Sequence, residues 1–287
     1  MSYRGVHRIA SQPGLRPSES SMLDVEFAQL SDPGRIRHHN EDYLGYSLPD
    51  TPEEARSQGW LFALADGVGG HRKGEVAAKA AVESVLGGFR KAGSRESPSA
   101  LLTRLVQAAN AQVFETAVKA GSSGAGMATT LVACSLRFDR AVVAHVGDSR
   151  CYLVRSHQAR LLTRDHTIAN EHIRLGLISA KEAAEGDTRH VLSRSLGGEL
   201  FVNVETNDMQ VLPGDVLLLC SDGLHGAVSA TEMTHVAGRH GDLSVAAQEL
   251  ITLANERGGG DNVSVQLIRV RRVERIGMYR GRPYQLG

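Results

Sequence analysis

The sequence lacks an excess of either charge: 32 Lys and Arg stand against 32 Asp and Glu in 287 residues, a formal net charge of zero. General nucleic-acid binding draws on a basic surplus, so it is excluded as the main activity. Cysteine is scarce as well. Cys134, Cys151 and Cys220 form no CxxC pair and each sits in an apolar run, which reads as reduced core thiols of a cytoplasmic protein. No apolar stretch approaches the roughly 20 residues that cross a bilayer. The first residues, MSYRGVHRIASQPGLRPSESS, carry charge but no apolar h-region. Residues 1–22 therefore read as a disordered leader rather than a signal peptide.

What is present is an ordinary globular composition, 41% hydrophobic and 22% charged, in a chain long enough to bury a substantial core. Alternation and apolar runs predict strands at 23–30, 43–48, 60–65, 129–138, 141–147, 150–155, 201–209, 215–220 and 262–270. Helical periodicity covers 74–91 and 98–119, the latter opened by Ser97 and Pro98. Ser179 with Glu182, and Ser229 with Glu232, have the spacing of capping boxes that open later helices. A last helix is predicted over 243–257. This order is not the regular alternation of a parallel sheet, so it predicts an α+β fold, with antiparallel strands in the core and helices outside. Residues 164–195 read as a flap or small subdomain. The segment 271–287 reads as a solvated tail rich in arginine (Arg271, Arg272, Arg275, Arg280, Arg282).

Five aspartates fall where an apolar run starts or stops. Asp66 closes LFALAD, Asp148 closes AVVAHVGD and Asp222 closes DVLLLCSD; Asp261 precedes NVSVQLI, and Asp42 follows Asn40-Glu41 ahead of YLGYSL. Each Asp-Gly taken singly fits a tight turn. The shared context of apolar run, small residue and acid fits a turn less well. Acids meeting at one sheet rim would repel unless cations sat among them. Hard divalent cations take carboxylate, carbonyl and water oxygens, and two of them can activate a water for attack on a phosphoryl group.

The stretch 61-LFALADGVGGHRKGE-75 raises a rival reading, a phosphate cradled by glycine amides. It lacks the Lys-Ser/Thr pair of a P-loop and the glycine spacing of a dinucleotide fold. A metal-bearing turn fits better, with Asp66 giving its carboxylate and Gly67 its carbonyl. Arg37 is the candidate to clamp phosphate oxygens, against the plainer reading of a surface ion pair. His71 is the one histidine placed near the site, as a proton donor, with a solvated loop histidine as the alternative.

The ordered set 31-SDPGRIRHHNED-42, 65-ADGVGGH-71, 126-GMATTLVA-133, 147-GDSR-150, 190-HVLSRSLG-197, 221-SDGL-224 and 260-GDNVSV-265 resembles the metal-dependent serine/threonine protein phosphatases of type 2C, in their compact bacterial branch. The resemblance covers about residues 23–270 as one catalytic domain. It implies a central sandwich of two antiparallel sheets flanked by helices, with a Mn²⁺ or Mg²⁺ centre at one end. It further implies that Asp66 bridges two ions, with the Gly67 carbonyl on one and Asp222 and Asp261 on the other. Asp42 and Glu41 would hold metal-bound water, Asp148 would join Asp222 at a third ion, and Arg37 would bind the phosphate. Eukaryotic relatives place a histidine where Val68 stands, and Ala128 replaces the usual glycine of a Gly-Thr-Thr segment. The implied substrates are phosphoserine and phosphothreonine proteins, opposite a serine/threonine kinase, for a chain acting as a monomer. A non-catalytic binding module and a small-molecule phosphatase are the competing readings.

Overall fold

The structure, a computed structural model, describes residues 22–68, 73–93, 96–121, 126–279 and 282–285. Strands β1 (Asp24–Asp32) and β2 (Asp42–Ser47) lead through the short α1 (Pro52–Ser57) to β3 (Trp60–Val68). Two long helices follow, α2 (Lys73–Arg90) and α3 (Pro98–Lys119). Next come β4 (Ala128–Thr129), β5 (Leu131–Arg137), β6 (Arg140–Val146), β7 (Arg150–Arg155) and β8 (Gln158–Leu161). The flap holds α4 (Ile168–Arg174), α5 (Ala180–Glu185) and a 3₁₀ turn at Asp187–His190. Then β9 (Glu205–Gln210), β10 (Val216–Cys220), α6 (Asp222–His225), α7 (Ala230–Arg239) and α8 (Leu243–Glu256) precede β11 (Val263–Arg272) and the hairpin of β12 (Ile276–Tyr279) and β13 (Arg282–Gln285).

The strands assemble as two antiparallel sheets, β1-β11-β10-β7-β8 and β2-β3-β5-β6-β9, with β4 paired to β3. Side-chain alternation makes the layers. On β3, Leu61, Ala63 and Ala65 pack under α2 and α3, while Phe62 and Leu64 face the other sheet. On β10, Val216, Leu218 and Cys220 pack under α7 and α8, while Leu217 and Leu219 face inward. Both faces of these central strands are therefore buried, which is why their sequences read as unbroken apolar runs. The result is the expected sandwich with helices on both outer faces.

Local signals explain most boundaries. Ser97 Oγ accepts from Ala100 N–H at 3.3 Å with Pro98 at the first helical position. Both capping boxes form, at Ser179 with Glu182 and at Ser229 with Glu232. One strand boundary is corrected. The predicted strand 201–209 begins only at Glu205, because residues 197–202 direct their backbone groups to Asn110 and Gln107 of α3 instead of to a ladder. In the arginine-rich segment, β11 runs on to Arg272, and Arg271 and Arg272 pair with Glu26 and Asp24 of β1. Among the described residues no helix is long and apolar enough to cross a membrane.

Candidate metal centre

Strand register brings the acids together. Asp42 lies directly opposite Asp66 in the β2–β3 pair. In the other sheet, Cys220 pairs with Arg150 and with Val265. Two residues past Cys220 the chain carries Asp222, and two residues before Arg150 it carries Asp148. Asp261 stands just ahead of β11 at that same edge. Asp66, Asp148, Asp222 and Asp261 all line one cavity of about 1130 Å³, together with Arg37, Glu41 and Gly67. Asp42 is buried beneath them.

A layer of uncharged polar groups fixes these acids. Asp66 N–H donates to Thr130 Oγ1 at 2.9 Å, and the Asp66 carbonyl accepts from Thr129 Oγ1 and Thr130 N–H, each at 2.8 Å. Thr130 Oγ1 in turn meets Ser149 Oγ at 2.7 Å, tying Asp66 to the Asp148 turn. Ser221 Oγ donates to Asp42 Oδ2 at 2.8 Å and accepts from Ser264 N–H at 3.0 Å. Asn262 accepts from Glu41 N–H (2.8 Å) and donates to the carbonyls of Pro33 (3.0 Å) and His39 (2.9 Å). It thereby holds the 33–41 loop, with Arg37 and Glu41, against Asp261. That contact is close: a Cβ on Gly34, at φ +81°, would lie 2.2 Å from the Asp261 carbonyl oxygen.

Burial and mutual repulsion hold the acids above the usual carboxylate range. Asp42 is pushed up to about 7, chiefly by burial; the nearby hydroxyls of Ser264 and Ser221 oppose this, and Asp222 and Asp261 add to it. Asp148 is also raised to about 7, by burial and then by Asp222 and Asp165. Asp66 lies well above its ordinary value through burial, then Asp42, Asp222, Asp148 and Asp261. Asp222 is raised by burial and Asp261. Asp42 Oδ1 is fully buried with no hydrogen-bond partner. An orphaned carboxylate oxygen beneath converging acids is the donor set that hard divalent cations satisfy, so these residues fit such ions.

The raised values fix a pH dependence. Asp42 and Asp148 hold protons more tightly folded than unfolded. Their contribution to stability is therefore complete below about pH 4 and is lost as pH rises through about 7. The buried His145, His166 and His225, held below the usual imidazole value by burial, contribute the opposite slope up to about pH 6.5. The acids are therefore read by difference: in chelator, Asp148→Asn is expected to gain melting temperature over wild type progressively between about pH 5 and about pH 8, and Mn²⁺ to stabilise wild type most at the upper end. A difference between the two proteins that does not grow with pH would contradict the assignment.

Of the remaining candidates, Gly67 sits with Gly74 of α2 against it. A Cβ at Gly67 would lie 2.3 Å from the Gly74 carbonyl carbon and oxygen and 2.7 Å from Glu41 O. Arg37, at the cavity mouth, forms an ion pair with Asp261 at 2.9 Å. His71 lies outside the described residues. Thr129, Thr130, Ser149, Ser221, Asn262 and Ser264 carry no role legible in the sequence, nor does His225, whose Nε2–H donates to the Asp148 carbonyl at 3.0 Å. The motif segments 126–133, 147–150, 221–224 and 260–265 contain all but His225, and were the only signal available for them.

A second group with metal-ligand chemistry, His145, His166 and Glu205, lies outside this cavity. Gly147 N–H donates to His166 Nδ1 at 3.1 Å, so His166 Nε2 carries the proton that faces Glu205 at 3.1 Å. Glu205 also pairs with Arg164 and Arg194. The lone pairs and charge a metal would need are already engaged. This cluster instead fastens the flap to the sandwich, helped by stacking of the two imidazoles at 4.8 Å.

Comparison with known proteins adds to this geometry. Residues 39–251 match a family model described as Protein phosphatase 2C. The serine/threonine phosphatase stp of Listeria monocytogenes is 38% identical over 241 residues, covering 83% of this chain and 93% of that one. The S. agalactiae serine/threonine phosphatase structure superposes with TM-score 0.78 at 30% identity, covering 86% of this chain and 100% of that one. The catalytic domain of the serine/threonine protein phosphatase PstP, solved in complex with 2 manganese ions, superposes with TM-score 0.74 at 31% identity, covering 87% and 100%.

Proposed function

This chain belongs to the protein phosphatase 2C family and is a metal-dependent serine/threonine phosphatase, and we propose that the acids converging from its two sheets are the centre that hydrolyses phosphoserine and phosphothreonine. The observation that carries this is the meeting of Asp42 and Asp66 from one sheet with Asp148, Asp222 and Asp261 from the other, around an orphaned buried carboxylate oxygen. Asp66 with the Gly67 carbonyl would hold one Mn²⁺ or Mg²⁺, and Asp66 with Asp222 and Asp261 would hold a second. Asp42 and Glu41 would act through water, and Asp148 with Asp222 would hold a third ion. When bound, the ions supply positive charge for phosphoryl oxygens and make water acidic enough to serve as nucleophile at neutral pH.

The chain's own residues do the rest. Thr129 and Thr130 fix the Asp66 backbone, and Asn262 fixes the loop that carries Arg37. Arg37, half-exposed at the mouth, donates to phosphoryl oxygens and neutralises charge as it develops there. No covalent intermediate on sulfur is available. Cys134, Cys151 and Cys220 are free and fully buried in strands, and burial pushes the Cys151 and Cys220 thiols up. The free thiols also fit a cytoplasmic enzyme.

The test is hydrolysis of phosphothreonine peptides and of phosphorylated metabolites in Mn²⁺, with and without chelator. Chelator-sensitive turnover of peptides in preference to metabolites is expected. A chain that binds the peptides without turnover would be a binding module instead. Arg37→Ala is expected to lower kcat/KM about 100-fold, through a fall in kcat as well as a rise in KM. Because its ion pair is exposed, stability should move by less than about 0.5 kcal/mol in urea denaturation.

A further inference from the structure

The cavity over the acids is not walled by polar groups alone. Phe201 is 78% exposed, Ile36 66%, Val191 45% and Val68 41%, and all four line it. They arrive from four segments: the 198–203 loop, the 33–41 loop, the flap and the end of β3. Single exposed apolar side chains are ordinary, but four of them lining one cavity point to a recognition surface.

Phe201 is held in place by its backbone. Asn110, fully buried on α3, donates to the carbonyls of Glu199 (2.9 Å) and Leu200 (3.0 Å) and accepts from Gly197 N–H (2.9 Å). Gln107 of the same helix donates to the Val202 carbonyl. The loop thus commits its backbone to the fold and leaves an aromatic ring in solvent, at the edge of the reaction cavity. Such preorganisation reduces the ordering cost of binding. Arg194 and Glu199, of opposite sign, line the same cavity.

A phosphoresidue that reaches the acids must carry its polypeptide across this rim. We propose that Ile36, Val68, Val191 and Phe201 form an apolar subsite for an aliphatic or aromatic side chain next to the phosphoresidue, so that the substrates are extended phosphorylated segments with an apolar neighbour. The proposal rests on the phosphatase reading above and specifies the substrate class of that site.

The test uses the full chain with Mn²⁺ and phosphothreonine peptides that differ only in carrying Leu or Ser beside the phosphothreonine, on each side in turn. Wild type is expected to favour Leu by about tenfold in kcat/KM on one side, the lower end of the discrimination that apolar contacts give. Phe201→Ser, a change at an exposed position, should reduce that ratio to about twofold, with Val191→Ser acting in the same direction. The ratio is read within each protein, so a general loss of activity does not imitate the effect. Equal turnover of the peptides by wild type, or an undiminished ratio in both variants, overturns the subsite and leaves the phosphatase reading standing. No metal-dependent turnover of any peptide overturns that reading and the subsite with it. A change in oligomeric state in Phe201→Ser with the ratio intact would make the rim a self-association face, and also overturns the proposal.

Discussion

Asp66→Asn is expected to lower Mn²⁺-dependent turnover of p-nitrophenyl phosphate about 1000-fold, the scale on which a preorganised charge stabilises a transition state. The substitution is nearly isosteric and leaves the local frame intact. The Asp66 backbone is held by Thr129 and Thr130, neither of which touches the carboxylate in doing so. The same change should raise the melting temperature of the metal-free protein at pH 8. Asp66 ionises against burial and four neighbouring acids, and the amide relieves that repulsion. The stabilisation gained from Mn²⁺ should disappear at the same time. Lost activity with gained metal-free stability separates a metal ligand from a structural residue, which would lose both. An Asp66→Asn protein that kept the full rate, or the full Mn²⁺-induced rise in melting temperature, would remove Asp66 from the centre.

Asn262→Leu is expected to be the most destabilising change around the site, by about 3 kcal/mol, because a buried side chain of similar size would leave three backbone groups unpaired. Those groups are Glu41 N–H and the carbonyls of Pro33 and His39. The loss should appear in urea denaturation of the metal-free protein. The released 33–41 loop carries Arg37 and Glu41, so kcat/KM at saturating Mn²⁺ should also fall, by about 100-fold. A loss below about 1 kcal/mol with unchanged kcat/KM would mean that the loop is positioned by other contacts.

The acids were legible in the sequence because each marks the end of an apolar run, and burial of both strand faces makes such runs conspicuous. Their convergence was implied by the family resemblance and not by the runs themselves. It depends on register, Asp42 against Asp66 and Cys220 against Arg150, and register is a property of two distant segments that neither displays alone. The supporting Thr130, Ser221, Asn262 and Ser264 were hidden for another reason. They are small uncharged polar residues at strand ends, where their composition signals no more than a turn. Phe201 and Val202 read as strand by propensity, yet tertiary hydrogen bonds from Asn110 and Gln107 took the backbone out of the ladder. In the flap, the Ser179 capping box was visible. α4 was not, because its start rests on Thr167 accepting from Asn170 N–H, without the three-residue spacing to an acid that marked Ser179.

The central claim is that acids from two sheets form one site for divalent cations. Calorimetric titration of Mn²⁺ into the metal-free protein at pH 8, wild type beside Asp66→Asn, tests it most directly. Wild type is predicted to bind at least two ions per chain, and the variant to lose the sites that share Asp66. A wild-type chain that takes up no Mn²⁺, or an Asp66→Asn chain that binds it as wild type does, would contradict the account.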